Sequence, residues 1–111
     1  MIVGTDGSRF YRIGPHLHYL VNGHTGMIRD FNGRLYDGNR YLGAYINGEI
    51  VMEGMSRIKF AEDRVFTASG EYTLDRSEET LSFGDKMWFE IRDKWDAMRI
   101  ALWNITRQGI S

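Results

Sequence analysis

Cysteine is absent from the sequence, proline occurs once, and there is no long hydrophobic run. Without cysteine, disulfides, thiolate zinc sites and cysteine nucleophiles are excluded. No segment approaches the roughly 18 consecutive apolar residues of a membrane-spanning helix, so no membrane contact is expected. The opening MIVGTDGSRF lacks the basic and apolar regions of a signal peptide. We therefore expect a soluble, cytoplasmic protein.

Length and composition are those of one globular domain. The 111 residues are 42% hydrophobic and 26% charged, close to the average of folded proteins. We therefore treat 1–111 as a single domain. The net charge of −1 disfavours nucleic acid as a partner, because affinity for nucleic acid depends on neutralising phosphates.

Residues 8–83 have the pattern of short antiparallel strands joined by tight turns. Five Asn-Gly or Asp-Gly pairs occur in the first half of the chain, and such pairs supply the positive φ angles of two-residue hairpin turns. β-Branched and aromatic residues are concentrated in eight segments, which are SRFYRI, HLHYLV, GMIRDF, RYLGAYI, EIVMEG, SRIKF, RVFTAS and EYTLD. This pattern predicts an α+β fold whose β part is an antiparallel meander or small barrel of six to eight strands.

The tail changes to a helical period. Its apolar residues recur at steps of three and four, at Trp88, Ile91, Trp95, Met98, Leu102 and Ile105. The spacing predicts one amphipathic C-terminal helix over 85–108 that covers one face of the sheet, with Asp85 as N-cap and Gly109 as its stop. Trp103 lies off this stripe, which is typical of a contact with a partner or a second copy, but also of a broad helix face packed against a curved sheet.

An alternative interpretation makes the tail a hairpin. MWFEIRD and MRIALWN both alternate, with residues 94–96 as the turn. The pair Gly84-Asp85 and the stretch RIAL at 99–102 resemble the last hairpin of S1-type OB folds. That resemblance implies a nucleic-acid-binding domain.

All three histidines lie in the stretch PHLHYLVNGH. His16 and His18 share one face of a strand and resemble the HxH pair of cupin barrels, which implies a metal-dependent barrel. A two-residue turn at Asn22-Gly23 would pair Val21 with His24 and place His24 on the other face, so this hairpin cannot supply three ligands. A metal site would need a carboxylate from another strand, and no other cofactor is expected.

No pattern supports catalysis. The acidic pairs at 62–63 and 78–79 lie in polar turns, no serine or threonine lies in a nucleophile elbow, and no glycine-rich loop precedes a helix. We therefore favour a non-enzymatic function.

Arginine and aromatic residues interleave in the N-terminal half, and such residues are favoured in protein interfaces and in base-stacking surfaces. The candidate binding surface consists of Arg9, Tyr11, Arg29, Arg34, Tyr36, Arg40, Tyr41 and Tyr45. The simpler interpretation is that half of these aromatic residues point into the core and the arginines only solubilise the surface. We expect a binding module whose partner is another protein or a second copy in a homodimer.

Overall fold

The computed structural model describes residues 1–108 as twelve strands and one helix. The strands are β1 (Ile2–Gly4), β2 (Arg9–Ile13), β3 (His16–Val21), β4 (His24–Phe31), β5 (Arg34–Asp37), β6 (Arg40–Ile46), β7 (Glu49–Met52), β8 (Arg57–Ala61), β9 (Arg64–Thr67), β10 (Gly70–Asp75), β11 (Thr80–Phe83) and β12 (Lys86–Phe89). The helix, α1, spans Lys94–Gln108.

The strands form a closed antiparallel barrel in which each pairs with its neighbours in sequence. β1 closes the barrel by pairing with β12, with Val3 opposite Phe89. The expected antiparallel barrel with one C-terminal helix is confirmed, and all eight predicted segments form strands. The expected count of six to eight is wrong, because β1, β5 and β11 are segments of three or four residues that were not recognised as strands, and β12 was assigned to the helix.

Hairpin turns follow the Asn-Gly signal where both residues need positive φ. In Asn22-Gly23 the φ angles are 52° and 78°, and in Asn47-Gly48 they are 52° and 80°. The turn between β8 and β9 adopts the same conformation without glycine, at Glu62 and Asp63 with φ of 52° and 58°. Positive φ at a glutamate is uncommon, which is why the sequence shows no hairpin signal there.

The helix begins at Lys94 and not at Asp85. Lys86–Phe89 is the strand that closes the barrel, so the predicted span 85–108 is wrong for its first nine residues. Trp88 and Ile91 fit the helical spacing because both are buried in the barrel, one from a strand and one from the connection. The hairpin interpretation is also wrong, because its second strand is helical. The predicted stop at Gly109 lies outside the described residues.

The N-cap of α1 is Asp93. Its Oδ1 accepts a hydrogen bond from the backbone N–H of Asp96 at 2.8 Å, and Asp96 Oδ2 accepts one from the N–H of Arg92 at 3.0 Å. This exchange between residues three and four apart resembles a capping box and fixes the start of the helix.

Helix α1 lies inside the barrel. Successive helical residues point about 100° apart, so the buried positions cover its whole circumference; they are Asp96, Ala97, Met98, Ile100, Ala101, Leu102, Trp103, Asn104 and Thr106. Its side chains contact separate parts of the wall: Trp103 packs on Phe10 of β2 at 4.9 Å, and Asn104 donates to the Tyr72 hydroxyl of β10 at 2.8 Å. The expectation of a helix over one face is therefore wrong, and Trp103 is 3% exposed and contacts the barrel itself.

Barrel width explains this arrangement. Side chains alone fill a barrel of about eight strands, and a wider one leaves space. Here the fifteen residues of α1, about 22 Å long, occupy that space. The helix enters at the end formed by residues 14–15, 32–33, 47–48, 62–63, 76–79 and 90–93, which we call the entry end.

Candidate functional site

The outward side chains of β2–β6 form the surface that carries most of the predicted binding residues, and we call it the outer face. Strand alternation defines it, because the fully buried Phe10 and Leu35 each lie between two outward residues. Arg9, Tyr11, Arg29, Arg34, Tyr36 and Tyr41 all lie on the outer face. Arg40, the first residue of β6, is exposed next to the turn between β5 and β6.

Three of these residues form an ordered row. Arg29 pairs with Tyr36, and Tyr36 pairs with Tyr41, across β4, β5 and β6. The Arg29 guanidinium lies 5.5 Å from the centre of the Tyr36 ring, and the Tyr36 and Tyr41 rings meet edge to face at 5.5 Å. Arg29 Nη2 also donates to the Gly38 carbonyl at 2.7 Å. The row is therefore held in place before any partner binds.

The outer face carries positive charge without carboxylates. The chain from 9 to 46 contains two acidic residues, Asp30 and Asp37. Asp37 faces the interior and accepts the Tyr19 hydroxyl at 2.8 and 2.9 Å, and Asp30 lines a cavity at the entry end. Arg9, Arg29 and Arg34 thus have no acidic neighbour among the outward residues of their own strands.

Tyr45 does not belong to this surface. It points inward, and its ring packs edge to face on Trp95 of α1 at 4.8 Å. Burial raises the pKa of Tyr45 to about 12. Strand β6 contains a bulge where its pairing with β5 shifts register, so simple alternation from Tyr41 does not predict its inner and outer positions.

The histidines are placed as the hairpin geometry predicted. Val21 pairs with His24 and Tyr19 with Gly26, so His24 lies on the opposite face from His16 and His18. His16 and His18 face outward, away from the barrel interior, and His16 Nδ1 accepts the backbone N–H of Asp30 at 3.2 Å. Within residues 1–108, no three His, Asp or Glu side chains are grouped to hold a metal ion.

A buried charged cluster joins α1 to the barrel, and no pattern in the sequence indicated it. Asp96, 1% exposed, accepts Arg12 Nε of β2 at 2.9 Å and a second hydrogen bond from Arg12 Nη2. Arg99 Nη2 approaches the same carboxylate at 3.3 Å. Burial alone would raise the pKa of Asp96, but the hydrogen bonds from Arg12 and Arg92 N–H and the charges of Arg12 and Arg99 hold it below its usual value.

A cavity of about 490 Å³ opens at the entry end beside the start of α1, and we call it the entry cavity. It is lined by Gly14, Pro15, Asp30, Tyr45, Asp93, Trp95 and Arg99. These residues come from the turn between β2 and β3, from the ends of β4 and β6, and from α1 with its N-cap, so distant parts of the chain assemble the cavity. The Lys94 ammonium lies 4.9 Å from the centre of the Trp95 ring.

Comparison with known proteins adds no family to this description. No protein-family model matches the sequence. Searches of curated proteins and of solved structures also found no match. In the part of the chain that the structure describes, the single helix is too short and too polar to cross a bilayer.

Proposed function

We propose that this protein is a non-enzymatic binding module whose outer face binds an acidic segment of a partner protein. The observation that carries this proposal is the ordered, carboxylate-free row of arginine and tyrosine on β4–β6. Such side chains give large contact area and bidentate hydrogen bonds to carboxylates at low entropic cost.

The outer face also exposes apolar side chains beside its arginines. Phe31 is 64% exposed and Ile13 57% exposed, and both point outward near the entry end. Phe31 pairs with Arg34 across β4 and β5, so an apolar and a basic side chain are direct neighbours. An apolar centre with charged residues beside it is the usual composition of a protein interface.

Charge favours an acidic partner over a second copy. A symmetric dimer would place the outer face against itself, so the arginines of one copy would face the same basic surface on the other. Like charges that face each other across an interface reduce the binding free energy by roughly several kcal/mol. An acidic segment instead meets the three arginines with opposite charge.

Side chains must make the contact, because the closed barrel leaves no unpaired strand edge among residues 1–108. A partner therefore cannot extend the sheet by adding a strand, which needs free backbone groups at an edge. The contact must consist of side chains laid against the outside of the wall.

The test uses a twelve-residue synthetic peptide of alternating glutamate and leucine, with a lysine–leucine peptide as control, in an NMR titration. We expect the acidic peptide to shift the amides of β2–β6. The charge reversal Arg29→Glu/Arg34→Glu should weaken binding by about tenfold or more. The matched reversal Lys59→Glu/Arg64→Glu, on β8 and β9, should leave it within about twofold.

Three outcomes would overturn the proposal. One is equal weakening by both charge reversals, which would indicate attraction without a defined surface. Another is a dimer that Arg29→Glu/Arg34→Glu dissociates, which would make a second copy the partner. The third is tighter binding of a single-stranded oligouridine than of the acidic peptide, which would indicate a nucleic-acid-binding surface.

A further inference from the structure

The walls of the entry cavity include two aromatic rings at nearly right angles. Tyr45 and Trp95 meet with ring centres 4.8 Å apart and planes inclined at 81°. A flat ligand that stacks on one of these rings presents its edge to the other, which is favourable for both contacts. The cavity volume of about 490 Å³ lies in the range of small-molecule sites.

Two carboxylates of the cavity retain hydrogen-bonding capacity. Asp30 Oδ1 accepts the N–H of Gly33 at 2.9 Å, and Asp93 Oδ1 accepts the N–H of Asp96 at 2.8 Å. Among the described residues, the Oδ2 atoms of Asp30 and Asp93 make no hydrogen bond. Ionised carboxylates only accept, so this wall calls for N–H donors on a ligand.

Arg99 supplies the opposite requirement. Its Nε is buried and has no hydrogen-bond partner among residues 1–108. Its other two contacts, to Pro15 O at 3.4 Å and to Asp96 Oδ1 at 3.3 Å, are long. Arg12 already makes two hydrogen bonds to Asp96. The Asp96 carboxylate is therefore paired without Arg99. Arg99 lines the cavity, and its Nη1 and Nη2 groups, which make only these long contacts, can donate to an acceptor on a ligand.

We infer that the entry cavity binds a planar heterocycle carrying N–H donors next to a carbonyl oxygen, the edge presented by guanine. Its N–H groups would meet the carboxylates of Asp30 and Asp93, and its carbonyl oxygen would meet Arg99. Adenine lacks the carbonyl and carries its amino group in that place, so it should bind poorly. This site is separate from the outer face and does not depend on the proposed protein partner.

The experiment is a titration with guanosine monophosphate, with adenosine monophosphate as the matched control because the two share ribose and phosphate. Trp95 is the reporter, because Trp88 and Trp103 are buried at 0% and 3% exposure. We expect saturable quenching of tryptophan fluorescence with a Kd on the order of 100 μM, typical of a ligand of this size. Adenosine monophosphate should bind at least about tenfold more weakly than guanosine monophosphate.

Two substitutions test the carboxylates without removing their structural hydrogen bonds. Asp93→Asn keeps a side chain that caps helices equally well, and Asp30→Asn keeps an oxygen for the N–H of Gly33. Each substitution should weaken the binding of guanosine monophosphate about tenfold. Asp75→Asn, at an exposed carboxylate outside the cavity, and Arg29→Glu/Arg34→Glu, on the outer face, should leave its affinity unchanged.

The inference is overturned if the two nucleotides quench equally, or if quenching does not saturate. It is also overturned if both asparagine variants, folded by circular dichroism, bind guanosine monophosphate as the wild type does. Failure of the acidic peptide to bind would leave these results unaffected, so the two proposals fail separately.

Discussion

Gly26 on β4 lies opposite Tyr19 on β3, and the Tyr19 phenol occupies the space where a side chain on residue 26 would stand. The ring passes over this glycine to reach Asp37 on β5. The Tyr19 side chain thus links three neighbouring strands on the inner side, because residue 26 has no side chain in its way. Burial, together with the hydrogen bond to Asp37, raises the pKa of Tyr19 to about 12.

Gly26→Ala is expected to destabilise the protein by roughly 1–3 kcal/mol, because the new methyl group overlaps the Tyr19 ring and displaces it from Asp37. Urea unfolding monitored by circular dichroism measures this free energy. Thr25→Ala, at the adjacent exposed position, is the control and should change stability by less than about 0.5 kcal/mol. Equal stability of Gly26→Ala and the wild type would show that Tyr19 is not fixed over the glycine.

For single residues, the sequence predicts which residues pair across a hairpin better than it predicts which side chains pack together. Strand alternation and the Asn22-Gly23 turn together predicted the pairing of Val21 with His24 correctly. They did so because a two-residue turn allows only one register between its two strands, and because side chains alternate between the two faces of a sheet. Which glycine lies beneath a tyrosine depends on packing between strands, and the sequence has no signal for it.

Helix α1 shows how an element can be predicted while its position is not. The apolar spacing of its residues is that of a helix, but the same spacing continues into β12. There Trp88 is buried as a strand residue and not as part of the helix. The pattern DKWD, at 93–96, has the carboxylates of an N-terminal helix cap three residues apart. This cap signal, and not Asp85, marks the residue after which the helix begins.

The Arg12–Asp96 pair is expected to couple the helix to the barrel strongly. Arg12→Met leaves a buried carboxylate without its main partner and should cost about 3–5 kcal/mol at pH 7. In a double-mutant cycle with Asp96→Asn, the coupling free energy should be roughly 1–3 kcal/mol. The exposed pair Arg57–Glu49, at 3.0 Å, is the control and should couple by less than about 1 kcal/mol.

The pH dependence follows from the lowered pKa of Asp96. A carboxyl group whose pKa is lower in the folded than in the unfolded protein stabilises the fold above its unfolded value, near ~4. That stabilisation is lost as the pH falls through the lower, folded value. The coupling measured by urea unfolding should therefore shrink as the pH is lowered below about 4. A coupling that is absent at pH 7, or unchanged under acid, would contradict the assigned role.

The whole molecule is a barrel filled by its own C-terminal segment. Sequence reasoning led to an antiparallel barrel and a helix, but it placed that helix over one outer face of the sheet. The helix is instead covered on all sides by the wall, which depends on the long-range pairing of β1 with β12. No local pattern encodes that closure. The outer face and the entry cavity are the two parts of the filled barrel to which we assign the proposed binding.

Amide hydrogen exchange of the intact protein tests this arrangement most directly. If α1 occupies the barrel interior, its amides between 97 and 106 should exchange as slowly as the slowest amides of β3 and β4, through global unfolding alone. Exchange of those helix amides far ahead of the strand amides would show that the helix leaves an intact barrel. That result would contradict the account of a barrel filled by its own C-terminal helix.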